Sequence, residues 1–554
     1  MRQPAGLAAS IAILLATAAC DRVFDPDPEH DGEPPVLRIT TPDRGSILGD
    51  VSMVTVSGFV TDAEGDITEV TVNGVGASIG GDGGFTVSVP LVPGTNLVHA
   101  SAKDAGNNEA TDTRSVQAGP TIPLSSTLPD TIAAVISDEA FDAIGRAAAG
   151  FLVQTDLGAM IAPYNPVMEK GWSGPGDCLF GRVSITGMTV GGSNIGLYAR
   201  TGGLTLDASL TDVEVHLHVE WAFSCLDGAR DIVVRASQLD IYGDMNVGIA
   251  GSELDVALDN PDVGIYGLDI DLGGVPGEIV DLLALDTALA PILAWGVELF
   301  VAPMVENALS GLSETKTVSV LGKQISFEVT PAQVDFDTAG ARIRLDSRIE
   351  VANATGPGFV YVANTLPSLV SSNGFAVYVA DDAANQAFTG FWSAGGMTYD
   401  LPLSSGDYGE VGQLFDSVHI EALLPPSISA HNDGTLRIVV GDLIAEFQNG
   451  GQAVTKVAIN GTVDIGVVND GTGLRLQVSE PAVHVDFLDE GVDGANALDD
   501  TDFEALISFA ATRLTHATSG LVGELPIPSV GGVTVDDLAI EGRDGYLTVG
   551  GVLR

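Results

Sequence analysis

Two stretches of this chain repeat one another at an offset of 243 residues, and the repeat limits the folds open to it. The later copy, Phe375–Leu401, reads FAVYVADDAANQAFTGFWSAGGMTYDL. Phe375, Val377 and Val379 alternate as one face of a strand. Asp381-Asp382 suit a helix start, because carboxylates accept orphan N–H groups and sit well at the positive end of the helix dipole. Ala384, Ala387, Phe388, Phe391 and Trp392 recur at i, i+3, i+4 spacing and predict a short amphipathic helix. Gly395-Gly396 predicts its stop and a second strand beyond. Strand, helix and strand together predict one wall of a rolled sheet with a helix laid against it.

The earlier copy runs Ile136-Ser137-Asp138-Glu139-Ala140-Phe141-Asp142-Ala143-Ile144, aligned with Val379 to Ala387. Its helix runs into Gly150, and Asp156-Leu157 aligns with Asp400-Leu401. Each half also carries a later apolar helix, Gly277–Leu312 and Thr501–Leu521, followed by alternating strands. Two diverged copies of one domain, each a helix pair plus a curved sheet, account for this order.

Phe375–Leu401 and the ending ELPIPSVGGVTVDDLAIEGRDGYLTVGGVL (Glu524–Leu553) resemble the bactericidal/permeability-increasing and lipid-transfer family of the tubular lipid-binding (TULIP) superfamily. The acidic–small–Asn–x–aromatic run ending in Gly-Gly matches the opening of that family's second barrel, and Pro-x-Pro followed by two strands matches its close. The resemblance spans Leu124 to Arg554. It implies an α+β and all-β chain in which two tandem helix-wrapped curved β-barrels, residues 120–348 and 349–554, enclose apolar tunnels for acyl chains. The tunnel candidates on the helices are Ile144, Phe151, Leu283, Leu293, Phe300, Ala387, Phe391, Leu506 and Leu514. The same residue types would serve a solid core, so a structural or adhesive protein with filled barrels is the competing reading.

Residues 36–119 predict a β-sandwich that precedes the barrels. Short alternating runs such as Val54–Gly58, Glu69–Asn73 and Gly84–Val89 are punctuated by turn residues about every ten positions. Their order resembles bacterial immunoglobulin-like modules of the glucodextranase B-domain type, which implies a spacer or accessory domain. Asp62, Glu64, Asp66 and Asp104 there are turn formers or calcium ligands.

The first twenty residues read as a signal peptide: Arg2, an apolar run from Leu7 to Leu15, then small residues up to Cys20. Ala18-Ala19-Cys20 resembles the end of a bacterial lipobox, with Thr17 where Leu is preferred. The resemblance implies acylation of Cys20 and a chain tethered to the cell envelope, on an outer-membrane, periplasmic or surface face, rather than spanning a membrane. Residues 21–35 (DRVFDPDPEHDGEPP) are acidic and Pro-rich and predict a disordered tether; Asp25, Asp27 and Asp31 read as solvated charges. Two cysteines remain, Cys178 and Cys225, in an oxidising compartment. They read as a cross-strand disulfide, which the family's first barrel also carries, or as two buried thiols.

With 23 basic against 74 acidic residues the net charge is −51, which argues against nucleic acid and anionic membrane surfaces as partners. It also separates the chain from family members whose cationic tips grip lipopolysaccharide, and favours a neutral or zwitterionic amphiphile. No HExxH, P-loop or dinucleotide fingerprint occurs, so no cofactor and no enzymatic activity is expected. Gly76-Ala77-Ser78-Ile79-Gly80 has the nucleophile-elbow spacing but lacks the helix that such an elbow feeds. His216, His218 and Glu220 share one strand face and could hold zinc; the alternation of Val213, Val215, Leu217, Val219 and Trp221 explains them as the outer side of a half-buried strand.

Overall fold

The computed structural model describes residues 34–284, 316–489 and 535–553, apart from positions 155–156, 173–178, 225, 252, 273, 321, 357, 368–373, 409–410, 432–433, 470–473 and 480–481. The protein is mostly β, with an immunoglobulin-like region at its start and two curved half-barrel sheets joined through a central sheet.

The immunoglobulin-like region packs one sheet (Val36–Thr41, Met53–Thr61, Gly84–Pro90 and Ser78–Ile79) on another (Ser46–Gly49, Glu109–Ala118, Gly94–Lys103, Glu69–Val72 and Val75–Gly76). Ile39, Val56, Val72, Phe85, Val98 and Val116 fill the space between them, as the period-two alternation requires. Gly94–Lys103 (β1) and Glu109–Ala118 (β2) face the rest of the molecule.

Leu128–Ser137 (β3) leads into a helix, Asp138–Gln154 (α1). Met168–Trp172 (β4), Leu179–Arg200 (β5), Gly203–Phe223 (β6), Leu226–Ala250 (β7) and Glu253–Tyr266 (β8) then pair in order as the first curved sheet. A short helix, Gly277–Leu283 (α2), follows it. Lys316–Val320 (β9), Lys323–Asp337 (β10) and Gly340–Val351 (β11) return to the centre. Phe375–Ala380 (β12) leads into Asp381–Ser393 (α3) and the second curved sheet. That sheet comprises Thr398–Pro402 (β13), Ser417–Ala422 (β14), Ser427–Ala430 (β15), Leu436–Asn449 (β16), Gln452–Asn469 (β17), Leu474–Val478 (β18) and Ala482–Asp489 (β19). Val535–Arg543 (β20) and Tyr546–Leu553 (β21) close the centre.

The central sheet has the order β9-β10-β11-β3-β12-β21-β20, so both halves contribute to it. Its midline is the antiparallel pair β3–β12, with Ile132 opposite Val379, Ala134 opposite Val377 and Ile136 opposite Phe375. Each helix start is anchored on the turn of its own half's hairpin. Asp138 N donates to Ala339 O at 3.1 Å, and Asp381 N donates to Gly545 O at 2.9 Å.

Strands β5, β6 and β7 have 22, 21 and 25 residues, several times an ordinary strand, and about 70 Å at ~3.3 Å per residue. They bend together. In the row Gly191, Asp212 and Ser237 each strand presents two successive residues outward, with no change in pairing register there. Asp212 takes φ 50° to do so, and a Cβ on Gly191 would lie 2.8 Å from Asp212 Cβ. A slip taken by one strand would turn every later side chain to the wrong face. Taken by all three in one row, it bends the sheet as a bulge does and keeps the same side apolar.

Several expectations change. Gly150 does not end α1, which continues to Gln154. Gly395 does follow α3 at φ 70°, with Gly396 N donating to Phe391 O at 2.8 Å. The buried face of α3 is Asp382, Ala383, Gln386, Thr389, Gly390 and Phe391, rotated from the expected apolar stripe. Gln386 explains the rotation. Its Oε1 accepts from Ile349 N and its Nε2 donates to Leu124 O and Ser126 O, so a polar side chain occupies the interior with its groups satisfied.

The expected signal peptide, Cys20, the expected tether up to residue 33, Leu293, Phe300, Leu506 and Leu514 lie outside the described residues. So do most of Gly277–Leu312, all of Thr501–Leu521, and Cys178 and Cys225. Among the described residues no helix is long and apolar enough to cross a membrane.

Candidate functional site

The most extensive apolar surface among the described residues is the inner side of the first curved sheet. On β6, Leu204, Leu206, Ala208 and Leu210 point inward before the bend, and Val213, Val215, Leu217 and Val219 after it, each at most 2% exposed. From Leu204 to Val219 this lining extends about 50 Å. The neighbouring strands add Val183, Ile185, Leu197, Ile232, Val234, Leu239 and Ile241 to one cluster of 41 buried residues. Among the described residues, no polar or charged side chain between 138 and 346 is buried, so the described lining is predominantly hydrocarbon. Such a surface offers dispersion and exclusion from water, and no group for acid–base, nucleophilic or metal chemistry.

Helices cover parts of this face. Phe141, Ile144, Ala148 and Leu152 of α1 point into it, and Phe141 lies 5.7 Å from Phe336 between ring centroids. Small residues bring α1 close: a Cβ on Gly145 would sit 2.5 Å from Ile195 O. Ser193 Oγ fastens the same edge by donating to Ala149 O at 2.6 Å. Ile279 and Leu283 of α2 are fully buried nearer the other end, with Leu283 seated over Gly181.

The tunnel candidates therefore separate. Ile144 and Leu283 lie in the first interior. Phe151 does not: it is 43% exposed, because in the last turn of α1 only Leu152 remains buried. Ala387 and Phe391 belong to a small separate cluster with Ile325, Ile349, Val351 and Ala383, between α3 and the central sheet. The second curved sheet has its own core, including Phe415 and Phe447 at 5.0 Å, closed by Trp392, whose Nε1 donates to Ala422 O at 2.7 Å.

Charge is kept outside these interiors. His216 pairs with Glu214 at 3.1 Å and His218 with Asp231 at 2.6 Å on the outer face of the first sheet. Among the described residues no group of His, Cys, Asp and Glu is arranged to hold a metal. Asp62 accepts from the N–H groups of Glu64 and Gly65, and Asp104 from Asn108 N, which is the turn-forming use of these acids.

Two buried ionic sites were not visible in the sequence. At the start of α3, Asn364 Nδ2 donates to Asp381 Oδ1 at 2.8 Å and to Asp382 Oδ2 at 3.1 Å. Burial, then the neighbouring Asp381, pushes the Asp382 carboxyl up to about 7, and burial also raises Asp381. The second site joins the immunoglobulin-like region to the second curved sheet. Arg44 reaches Asp442 at 2.7 Å, Asp112 at 2.9 Å and Asp486 at 3.2 Å. Asp442, fully buried, also accepts from Ser115 N, Ser115 Oγ and Gly45 N. Asn460 Nδ2 donates to Thr113 O at 3.0 Å, and Gly441 leaves room for the Ser115 side chain. The region expected as a spacer is thus docked through a polar interface.

No curated protein matches this chain in sequence. Among solved structures it is similar to a crystal structure of lipopolysaccharide binding protein, with TM-score 0.38 and 13% identity over 76% of this chain and 99% of that one. It is also similar to the structure of P47 from Clostridium botulinum A2, with TM-score 0.25 and 9% identity over 77% and 98%. Residues 35–119, the docked immunoglobulin-like region, match the family model described as glucodextranase, domain B.

Proposed function

We propose that this chain is a lipoprotein of the bacterial envelope, tethered through Cys20, that holds a lipid or other amphiphile in the apolar interiors of two tandem helix-wrapped barrels, with transfer between membranes as its further use. One observation carries the reading: a continuous apolar interior face about 50 Å long, covered by helices that an amphiphile would have to part from the sheet. An acyl chain spans about half of a ~30 Å bilayer core, so the lining exceeds what one chain requires. The acidic surface favours a neutral or zwitterionic head group.

A second reading has its own observation. The approach of Gly145 to Ile195 is close packing, as expected of a structural surface protein with solid cores. Extraction of the purified chain from residue 21 onward separates the two, because a carrier brings lipid with it and a solid protein does not. The immunoglobulin-like region is kept in that experiment, since removing it would uncover Asp442.

A further inference from the structure

His99 on β1 and His484 on β19 stack across the boundary between the immunoglobulin-like region and the second curved sheet. Their ring centroids are 4.2 Å apart and the planes tilt by 32°. His99 Nδ1 and Thr113 Oγ1 share a hydrogen bond of 2.8 Å. The charged groups around the pair are Arg44, Arg114, Asp43, Glu109 and Asp112 from the immunoglobulin-like side, and Asp442 and Asp486 from β16 and β19. Arg44 takes up Asp112, Asp442 and Asp486, and Arg114 lies 3.9 Å from Asp112. No ion pair joins either imidazole to a carboxylate among the described residues. Burial favours the neutral form of both rings, against the pull of Glu109 and Asp112 on His99, and two charged rings at this distance would repel.

We infer that the stacked pair His99–His484 is an acid-sensitive latch, and that protonating both rings undocks the immunoglobulin-like region from the second curved sheet while each part stays folded. Uncharged bonds such as Thr95 Oγ1 to Pro425 O and Asn460 Nδ2 to Thr113 O hold the docked form when the rings are neutral.

The direction follows from proton counts. Burial lowers His99, and burial with His99 beside it lowers His484 to about 4. Between about 4 and 6.5 the open form thus binds one more proton on His484 than the docked form, and His99 adds to this in the same direction. Asp486 works the other way: burial raises it to about 7 against the pull of Arg44, so the docked form holds one proton there that the open form lacks. His484 and Asp486 offset one another, and the contribution of His99 leaves a net uptake on opening of at most one proton, so docking weakens as pH falls below 6.5, by no more than about tenfold per pH unit.

Hydrogen exchange on the full chain tests this, comparing the amides of Thr95, Thr113 and Ser115, which donate across the boundary to Ser427, Asp486 and Asp442, with those of Met53–Thr61 on the far sheet, corrected for intrinsic exchange. The expected result is protection of these three amides falling as pH is lowered from 6.5 to 4.5, with the far sheet unchanged. His484→Phe keeps the stack without its charge and should flatten the slope; should that variant not fold, His99→Phe reads the same loss from the other side. Asp486→Asn removes the opposing proton and should steepen the slope. A flat wild-type profile overturns the inference, as does a slope that persists in the phenylalanine variant or a far sheet that loses protection in parallel.

Discussion

Asp138 and Asp381, aligned across the sequence repeat, make the same bond in the two halves. Each is the first residue of its helix, and each carboxylate accepts from a strand amide: Ala199 N at 2.6 Å in the first half, Ala430 N at 2.9 Å in the second. Ser137 Oγ caps α1, accepting from Ala140 N at 3.3 Å, while the residue before α3, Ala380, has no capping side chain and the Asp381 carboxylate also accepts from Asp382 N of its own helix. The repeated aspartate is a tie between helix and curved sheet.

Removing that tie leaves a strand amide without its partner and should cost about 1–3 kcal/mol. Asp138→Ala is expected at the upper part of that range. Asp381→Ala should cost less, because it also removes the charge beside Asp382. Denaturant unfolding of the two variants gives the comparison; equal losses would mean that the Asp381–Asp382 repulsion contributes little.

Asp382 gives the fold a pH dependence of defined sign. Its carboxyl titrates near 7 when folded and near 3.8 when unfolded, so between these values the folded chain binds the extra proton. Stability from this group therefore falls as pH rises from about 4 to 7 and is level above. Asp382→Asn should match wild type near pH 4.5 and exceed it at pH 8, by on the order of 2 kcal/mol once the coupling with Asp381 is allowed for. Melting curves at both pH values decide it, and a variant less stable at pH 8 would show that the ionised carboxylate is needed.

Asp442 is buried against Arg44, two backbone amides and a hydroxyl, so its loss leaves those buried donors without their acceptor and Arg44 with only Asp112 and Asp486. Asp442→Ala should destabilise by about 3–5 kcal/mol. Exposed acids such as Asp231, 84% accessible in its pair with His218, should cost under about 1 kcal/mol when replaced. Thermal unfolding of both variants checks the contrast.

Cys20→Ser should move the protein from the membrane to the soluble fraction on cell fractionation. Membrane association that persists would place the anchor elsewhere in the chain.

Much of this architecture was legible because alternation and glycine stops are local signals. Val213 to Trp221 alternate in the sequence, and the structure buries the first four of them in the same interior. The pairing of Ile132 with Val379 was not legible, since two apolar strands from distant segments carry no mark that they are partners. The α3 face was misplaced because Gln386 is buried with its hydrogen bonds satisfied, which hydrophobic spacing cannot register. The docking site left one faint trace: Gly441-Asp442 interrupts an otherwise apolar run from Ile438 to Ala445, and a lone carboxylate there needs a buried partner. Its partner Arg44 sits in a turn and looks like any surface arginine.

The central claim is that the first interior receives an amphiphile, and lipid analysis of a single pair of proteins tests it most directly. Ala236 on β7 points into that interior on the far side of the bend, away from the close contact of α1 with β5. The chain from residue 21, with and without Ala236→Trp, is purified, extracted for lipid by mass spectrometry, and melted. The expected result is lipid in near-stoichiometric amount on the wild type, and less on the variant with little change in melting. A wild type that carries no lipid, with a variant destabilised by about 1–3 kcal/mol through overpacking, would contradict the claim and leave a solid core.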